Sequence, residues 1–194
     1  MRPTVLGDHR QWVLSVLEEY EVPLLRFAGR LLGDEQSARD VVQHTFMRLC
    51  EQSADRLSAA HVAPWLFTVC RNKAVDIMRR RQRTAALGPL ETPETVSKEP
   101  NPADSAEREE LYRRLNALVD QLPTKQRETV SLWSEGFTYR EIAEMTERSE
   151  VNVRVLVHRA VKRLRENPDT RELLVSAGGA DIPGYDHELQ PRRP

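Results

Sequence analysis

Cysteine is nearly missing from this chain: Cys50 and Cys70 are the two in 194 residues, and they lie too far apart for any metal-ligand spacing. A disulfide framework and a zinc module are thereby excluded, and both residues read as small apolar helix positions suited to a reducing compartment. Long hydrophobic runs are also missing. No stretch approaches the roughly 18 apolar residues of a membrane span, and the opening "MRPTVLGDHRQW" lacks the apolar core of a secretory signal. The expectation is a cytoplasmic chain without membrane insertion. Strand signals are scarce as well, which points to an all-α fold. There is no H-x-E with C-x-x-C, no HExxH and no phosphate-binding glycine loop, and the acids near the basic segments form no metal-binding set. No enzymatic activity, cofactor or metal is expected. Nor is there an excess of one charge, since the formal net charge is -1.

The charges are nevertheless segregated. Residues 71–83, "RNKAVDIMRRRQR", hold six bases and one acid, whereas residues 84–110 hold seven acids and two bases. Local fields of opposite sign survive the global cancellation. Apolar residues recur at helical spacing on both sides of this divide. Trp12, Val16, Tyr20, Leu24, Phe27 and Leu31 keep the three-or-four step, with Pro23 expected to end one helix and open the next, and Gly33 to stop it. Asp34 can cap "EQSARDVVQHTFMRLCEQ", with Ala38, Val41, Val42, Thr45 and Leu49 inward. Pro64 suits the first turn of a third helix, "PWLFTVCRNKAVDIMRRRQR", whose buried side holds Leu66, Val69, Cys70 and Ile77.

Four prolines and almost no large apolar residue follow in "TAALGPLETPETVSKEPNPADSA", the composition of a flexible acidic linker. Helical spacing resumes with Leu111, Leu115, Leu118 and Leu122. Pro123 opens a further helix that ends at Gly136, and Thr138 with Glu141 forms a capping box for the short helix "YREIAEMT". The expected organisation is a helical domain over 8–83, a linker over 84–106, a second helical domain over 107–166, and a largely disordered tail over 167–194.

The segment "SEVNVRVLVH" alternates valine with polar residues as a half-buried strand does. It runs without a break into "RAVKRLRE", and the chain offers no partner strand. As a helix capped by Ser149 it places Val153, Val157, Ala160 and Leu164 on one continuous buried stripe. Glu150, Asn152, Arg154, Val155, His158 and Arg159 then face outward. A short helix, a tight turn and a longer basic helix make a helix-turn-helix, winged-helix-like but without strands, whose second helix enters the DNA major groove. Arginine can grip guanine bidentately and an exposed valine can touch a thymine methyl. From the charge pattern alone, a solvated basic helix in a plain bundle remains the alternative.

Together these blocks resemble the extracytoplasmic-function sigma factors of bacterial RNA polymerase, over roughly residues 15–83 and 108–166. "YEVPLLRFAGRLLGDEQSARDVVQHTFMRLCEQ" is similar to the family's core-polymerase-binding segment, "PWLFTVCRNKAVDIMRRRQR" to its -10 recognition and melting segment, and "LPTKQRETVSLWSEGFTYREIAEMTERSEVNVRVLVHRAVKRLRE" to its -35-binding domain. The resemblance implies a subunit that binds core polymerase, recognises both promoter elements and nucleates opening. The competing reading is a stand-alone helix-turn-helix regulator of duplex DNA.

The resemblance also implies roles residue by residue. Asp40, Gln43, His44 and Met47 form a surface stripe opposite the buried face; the "DVVQ" match implies contact of Asp40 and Gln43 with the clamp helices of the polymerase's largest subunit. Trp65, Asn72 and the basic residues Arg71, Lys73, Arg79, Arg80, Arg81 and Arg83 correspond to the -10 surface. There the family captures a flipped base of the melted non-template strand beside a variable loop, here about "SADRLSAAHVA". Core packing is the competing reading of Trp65, whereas the Asn72 amide offers a donor and an acceptor to a base edge. Asn152, Arg154, Val155, His158, Arg159 and Lys162 fall on the -35 side. Two positions depart from the family pattern: Glu147 stands where the turn usually has glycine, and Leu156 replaces a common basic residue. An anti-sigma factor is a further candidate partner.

Overall fold

In the computed structural model, residues 5–53, 57–86, 114 and 117–170 are described. The chain divides into two compact units, Met1–Thr95 and Val96–Pro194. Among the described residues every regular element is a helix.

The first unit packs α1 (Val5–Leu32), α2 (Glu35–Cys50) and α3 (Ala59–Ala86) against one another. Its centre is apolar: Leu24, Phe27, Val41, Leu49, Leu66, Cys70 and Ala74 are fully buried. Phe27 and Phe67 meet with ring centroids 5.3 Å apart. Thr45 enters this core because its hydroxyl donates to the Val41 carbonyl at 2.8 Å. On α2 all five residues expected inward are buried, and Phe46 joins them. On α3 the expected Val69 and Ile77 are only half-buried.

Both prolines behave differently from the expectation. Pro23 lies inside α1, which continues through it. An internal proline costs about 3 kcal/mol through its missing donor and ring clash. Here the deprived carbonyl belongs to exposed Glu19, while Val16 on one side and Leu24 and Phe27 on the other are all buried. Burial of both halves on one core therefore outweighs the break. Pro64 likewise does not open α3, which begins at Ala59. The amides of His61 and Val62 donate to the Ser58 carbonyl, and the extra turn buries Val62 and Ala63 beside Leu57. Five residues expected in the variable loop are thus helical.

The linker expectation falls on residues outside those described, except that α3 extends through its first three positions. Leu111 and Leu115 also lie outside them. Leu118 and Leu122 are buried.

The second unit contains α4 (Thr124–Ser134), α5 (Tyr139–Thr146) and α6 (Glu150–Glu166). Leu122, Val130 and Ala160 form a core edged by Val119, Trp133, Val161 and Leu164. Gly136 closes α4 at φ +91°, a left-handed conformation that glycine adopts without strain. The tail's first residues fold back: the Asn167 amide donates to Gln121 at 3.3 Å, and Thr170 is buried.

One ion pair fastens the turn between α5 and α6. Arg148 Nη2 reaches Glu128 Oε2 of α4 at 2.6 Å, with the two side chains 15% and 3% exposed. Arg148 Nη1 is buried without a hydrogen-bond partner, so the pair is incompletely satisfied. Removing one partner from such a pair typically costs about 3–5 kcal/mol, whereas an apolar replacement of both can be neutral. Glu128→Gln and Arg148→Met should each lower the unfolding free energy in urea titrations by that order, and the double variant Glu128→Leu, Arg148→Met should recover most of the loss. Trp133 fluorescence, in a chain with Trp12 and Trp65 replaced by Phe, reads the transition.

Candidate functional site

Three surfaces carry the residues singled out above, and each owes its orientation to a buried face on the opposite side of its helix. On α2 the apolar stripe points Asp40, Gln43 and Met47 to solvent, with His44 half-buried beside them. Met47 is 61% exposed, the most exposed large hydrophobic side chain among the described residues of the first unit. Asp40 accepts one hydrogen bond, from the Gln36 amide at 3.3 Å. The face is thus an acceptor next to an uncovered thioether, a surface suited to a protein partner.

On α3 Trp65, Arg71 and Lys73 are half-buried, whereas Asn72, Arg79, Arg80 and Arg83 are exposed. Arg71 Nη1 donates to Asn72 Oδ1 at 2.9 Å, which holds the amide with its NH2 group available. Arg81, expected on the same -10 surface, is exposed and also bonds within its own unit. Its guanidinium donates to the Leu32 carbonyl at 3.1 Å, to Asp34 Oδ2 at 2.6 Å and to Ser37 Oγ at 2.6 Å. Those three acceptors line the corner between α1 and α2, so Arg81 clips the basic end of α3 onto it. Asp34 also caps α2, accepting from the Ser37 amide at 2.7 Å. Partial burial pulls the Asp34 carboxyl up, but the Ser37 amide, the Arg81 guanidinium and the Ser37 hydroxyl outweigh it and hold it below the usual 3.8.

In the second unit the capping box is complete. Thr138 Oγ1 accepts from the Glu141 amide at 3.2 Å, and Glu141 Oε2 accepts from the Thr138 amide at 2.8 Å. Glu147 then takes φ +55° and ψ +44°. A left-handed glutamate costs about 1–2 kcal/mol, and the buried Glu128–Arg148 pair on the next residue holds it there. Ser149 caps α6 by accepting from the Asn152 amide at 3.3 Å. The stripe follows as expected: Val153, Val157 and Ala160 are fully buried, with Leu164 half-buried.

Consequently Glu150, Asn152, Arg154, Val155, His158, Arg159 and Lys162 all lie exposed on α6. Arg154 Nη2 donates to Glu150 at 3.1 Å, and its guanidinium carbon sits 5.1 Å from the Tyr139 ring centroid. An exposed i,i+4 pair is worth only about 0.3–0.5 kcal/mol, so this arginine is oriented but readily released. Arg159 and Lys162 flank a surface groove of about 380 Å³ with Gln126, Arg163 and Glu166. Leu156 is half-buried and off the outward face. Tyr139, Glu128 and Arg148 escaped sequence reasoning, because only the closed turn brings them beside α6.

Comparison with known proteins matches these two units separately. The family described as "Sigma-70 region 2" matches residues 16–84, and "Sigma-70, region 4" matches residues 112–164. The ECF RNA polymerase sigma factor SigL of Mycobacterium tuberculosis is 31% identical, over 78% of this chain and 85% of the relative.

The chain belongs to the ECF sigma factors.

SigE of Mycolicibacterium smegmatis is also 31% identical over 78% of this chain, which spans 60% of that longer relative. Among solved structures, the sigma factor RpoE in complex with the anti-sigma factor NepR from Bartonella quintana is similar, with TM-score 0.62, 29% identity, and coverage of 87% of this chain and 97% of that one. ECF sigma factors serve transcription initiation by binding core RNA polymerase and promoter DNA, and are not catalysts. Among the described residues of this sigma factor, no helix is long and apolar enough to cross a membrane.

The Asp34–Arg81 clip gives this sigma factor a defined acid dependence. Because the Asp34 carboxyl is held below 3.8 in the folded state, its contribution is complete well above that pH and is lost as pH falls through the lower folded value. Asp34→Asn keeps the cap and removes the charge. The stability difference between the native protein and this variant should be constant from about pH 6 to pH 5 and shrink toward about pH 2, as urea midpoints will show.

Proposed function

We propose that the three surfaces divide the work of initiation. The outer face of α2, through Asp40 and Gln43 with His44 and Met47 beside them, docks on the clamp helices of core polymerase. The outer side of α3 engages the -10 element and its melted non-template strand, with Asn72 and Trp65 toward bases and Arg71, Lys73, Arg79, Arg80 and Arg83 toward phosphates. Arg81 serves as the clip. The exposed face of α6, through Asn152, Arg154, Val155, His158, Arg159 and Lys162, reads the -35 duplex.

The observation that carries this reading is the orientation of α6: full burial of Val153, Val157 and Ala160 leaves Arg154 and Arg159 outward on a helix entered from a capped turn. Phosphate neutralisation by the α3 bases supplies sequence-independent attraction that falls with salt. Capture of one flipped base offsets much of the few kcal/mol lost on unstacking, so opening needs no nucleotide hydrolysis. The functional domains are 8–83 and 107–166, joined through 84–106 and followed by the tail. An anti-sigma protein is the regulatory partner we infer, by analogy with the NepR-bound relative. We place the protein in the cytoplasm with polymerase.

Transcription reconstituted with core polymerase tests the whole. Promoter-dependent transcripts are expected; tight duplex binding by the protein alone with no transcript would identify a stand-alone regulator instead. Arg154→Ala and Arg159→Ala should each weaken -35 recognition by about 1–3 kcal/mol if they grip base edges. Equal loss on every promoter sequence would restrict them to phosphate. Asp40→Ala should reduce association with core polymerase in a pull-down or titration, and unchanged affinity would remove Asp40 from that interface.

A further inference from the structure

Valine is a costly choice for an exposed helix position, because its stiff, branched side chain gives up rotamer freedom without recovering it through burial. Yet α6 exposes two. Val151 is 73% exposed and Val155 40%, and they stand one helical turn apart on the face opposite the buried stripe. The core does not need them, since Val153, Val157 and Ala160 already fill it. Val151 is the most exposed large hydrophobic side chain among the described residues.

The chemistry around the pair decides what covers it. Arg154 lies between the two valines in sequence, and Arg159 and Lys162 continue the same exposed side of α6. A surface that joins methyl groups to cations matches a polyanion with apolar points on it. On duplex DNA the major groove offers one such apolar group on the base edges, the thymine C5-methyl.

We propose that Val151, together with Val155, forms an apolar ridge that selects thymine in the upstream promoter element, so that Val151 is a specificity-determining residue. This inference rests on the -35 reading of α6 above. Asn152 and Arg154 fix the register of the helix by hydrogen bonds, and the ridge discriminates by burying methyl groups. A methyl contact of this kind is worth about three- to tenfold in affinity.

The test uses holoenzyme assembled from the full chain and core polymerase, offered duplexes randomised across the -35 region. Native holoenzyme should enrich thymine at one position or more, and Val151→Ala holoenzyme should lose that thymine while keeping the rest of the selected sequence. Deoxyuridine at the same position, which lacks only the methyl, should weaken native binding by about three- to tenfold and leave the variant unaffected. Identical selections by the two proteins, or native binding indifferent to deoxyuridine, would overturn the thymine ridge while the -35 reading stands. Absence of any selected sequence at -35 would overturn both. Because Val151 is exposed and alanine is the better helix former, loss of folding does not confuse the outcome.

Discussion

Everything the second unit can do depends on burying one face of a helix made from poor helix formers. Val153, Val157 and Ala160 are at zero exposure, and each fully buried valine is worth roughly 1.5–3 kcal/mol. That burial overrides local preference and fixes the rotation of α6 about its own axis. Rotation in turn decides which side chains meet solvent. With the stripe inward, Arg154, His158 and Arg159 have nowhere to go but outward. The packing of one side thus decides which basic residues the other side presents.

The turn before that helix shows how such a constraint is maintained. A left-handed glutamate and a buried, imperfectly satisfied ion pair are both unfavourable features when considered alone. At Glu147 and Arg148 they occur on consecutive residues, one side chain anchored on α4 and the other free at the surface. Ser149 then starts α6 with a side-chain cap. Three consecutive residues therefore set the entry angle of the helix, and strain at the first is offset by anchoring at the second. The first unit uses the same logic at the corner between α1 and α2, where Asp34 caps one helix and holds the Arg81 guanidinium of another. An arginine within a basic run thereby gains a structural role while staying about half exposed. Charge counting treats all such arginines alike; hydrogen-bond geometry does not.

Much of this was legible in the chain. Caps are local, so Asp34, the Thr138–Glu141 box and Ser149 could be named from two or three neighbouring residues, and all appear with their expected bonds. The buried stripe of α2 followed from spacing alone. The prolines were less tractable. Their cost is local, but whether it is tolerated depends on apolar residues up to a turn or two away that find the same core, as Val16 and Phe27 do around Pro23. Tyr139 beneath Arg154 and Glu128 behind Arg148 are separated from their partners by 15 and 20 positions, a distance over which no periodicity signals contact.

What the amino-acid order settled by itself was therefore the helical class, the caps, the buried stripes and the local charge, each a matter of interactions within about one turn of helix. Tertiary structure alone decided that α1 and α3 run through their prolines, that Arg81 bonds the corner between α1 and α2, and that Glu128 pairs with Arg148. The physical reason is common to all three. Each outcome is a competition between a local preference and a contact made from another helix, and the sequence displays only the first of those two energies.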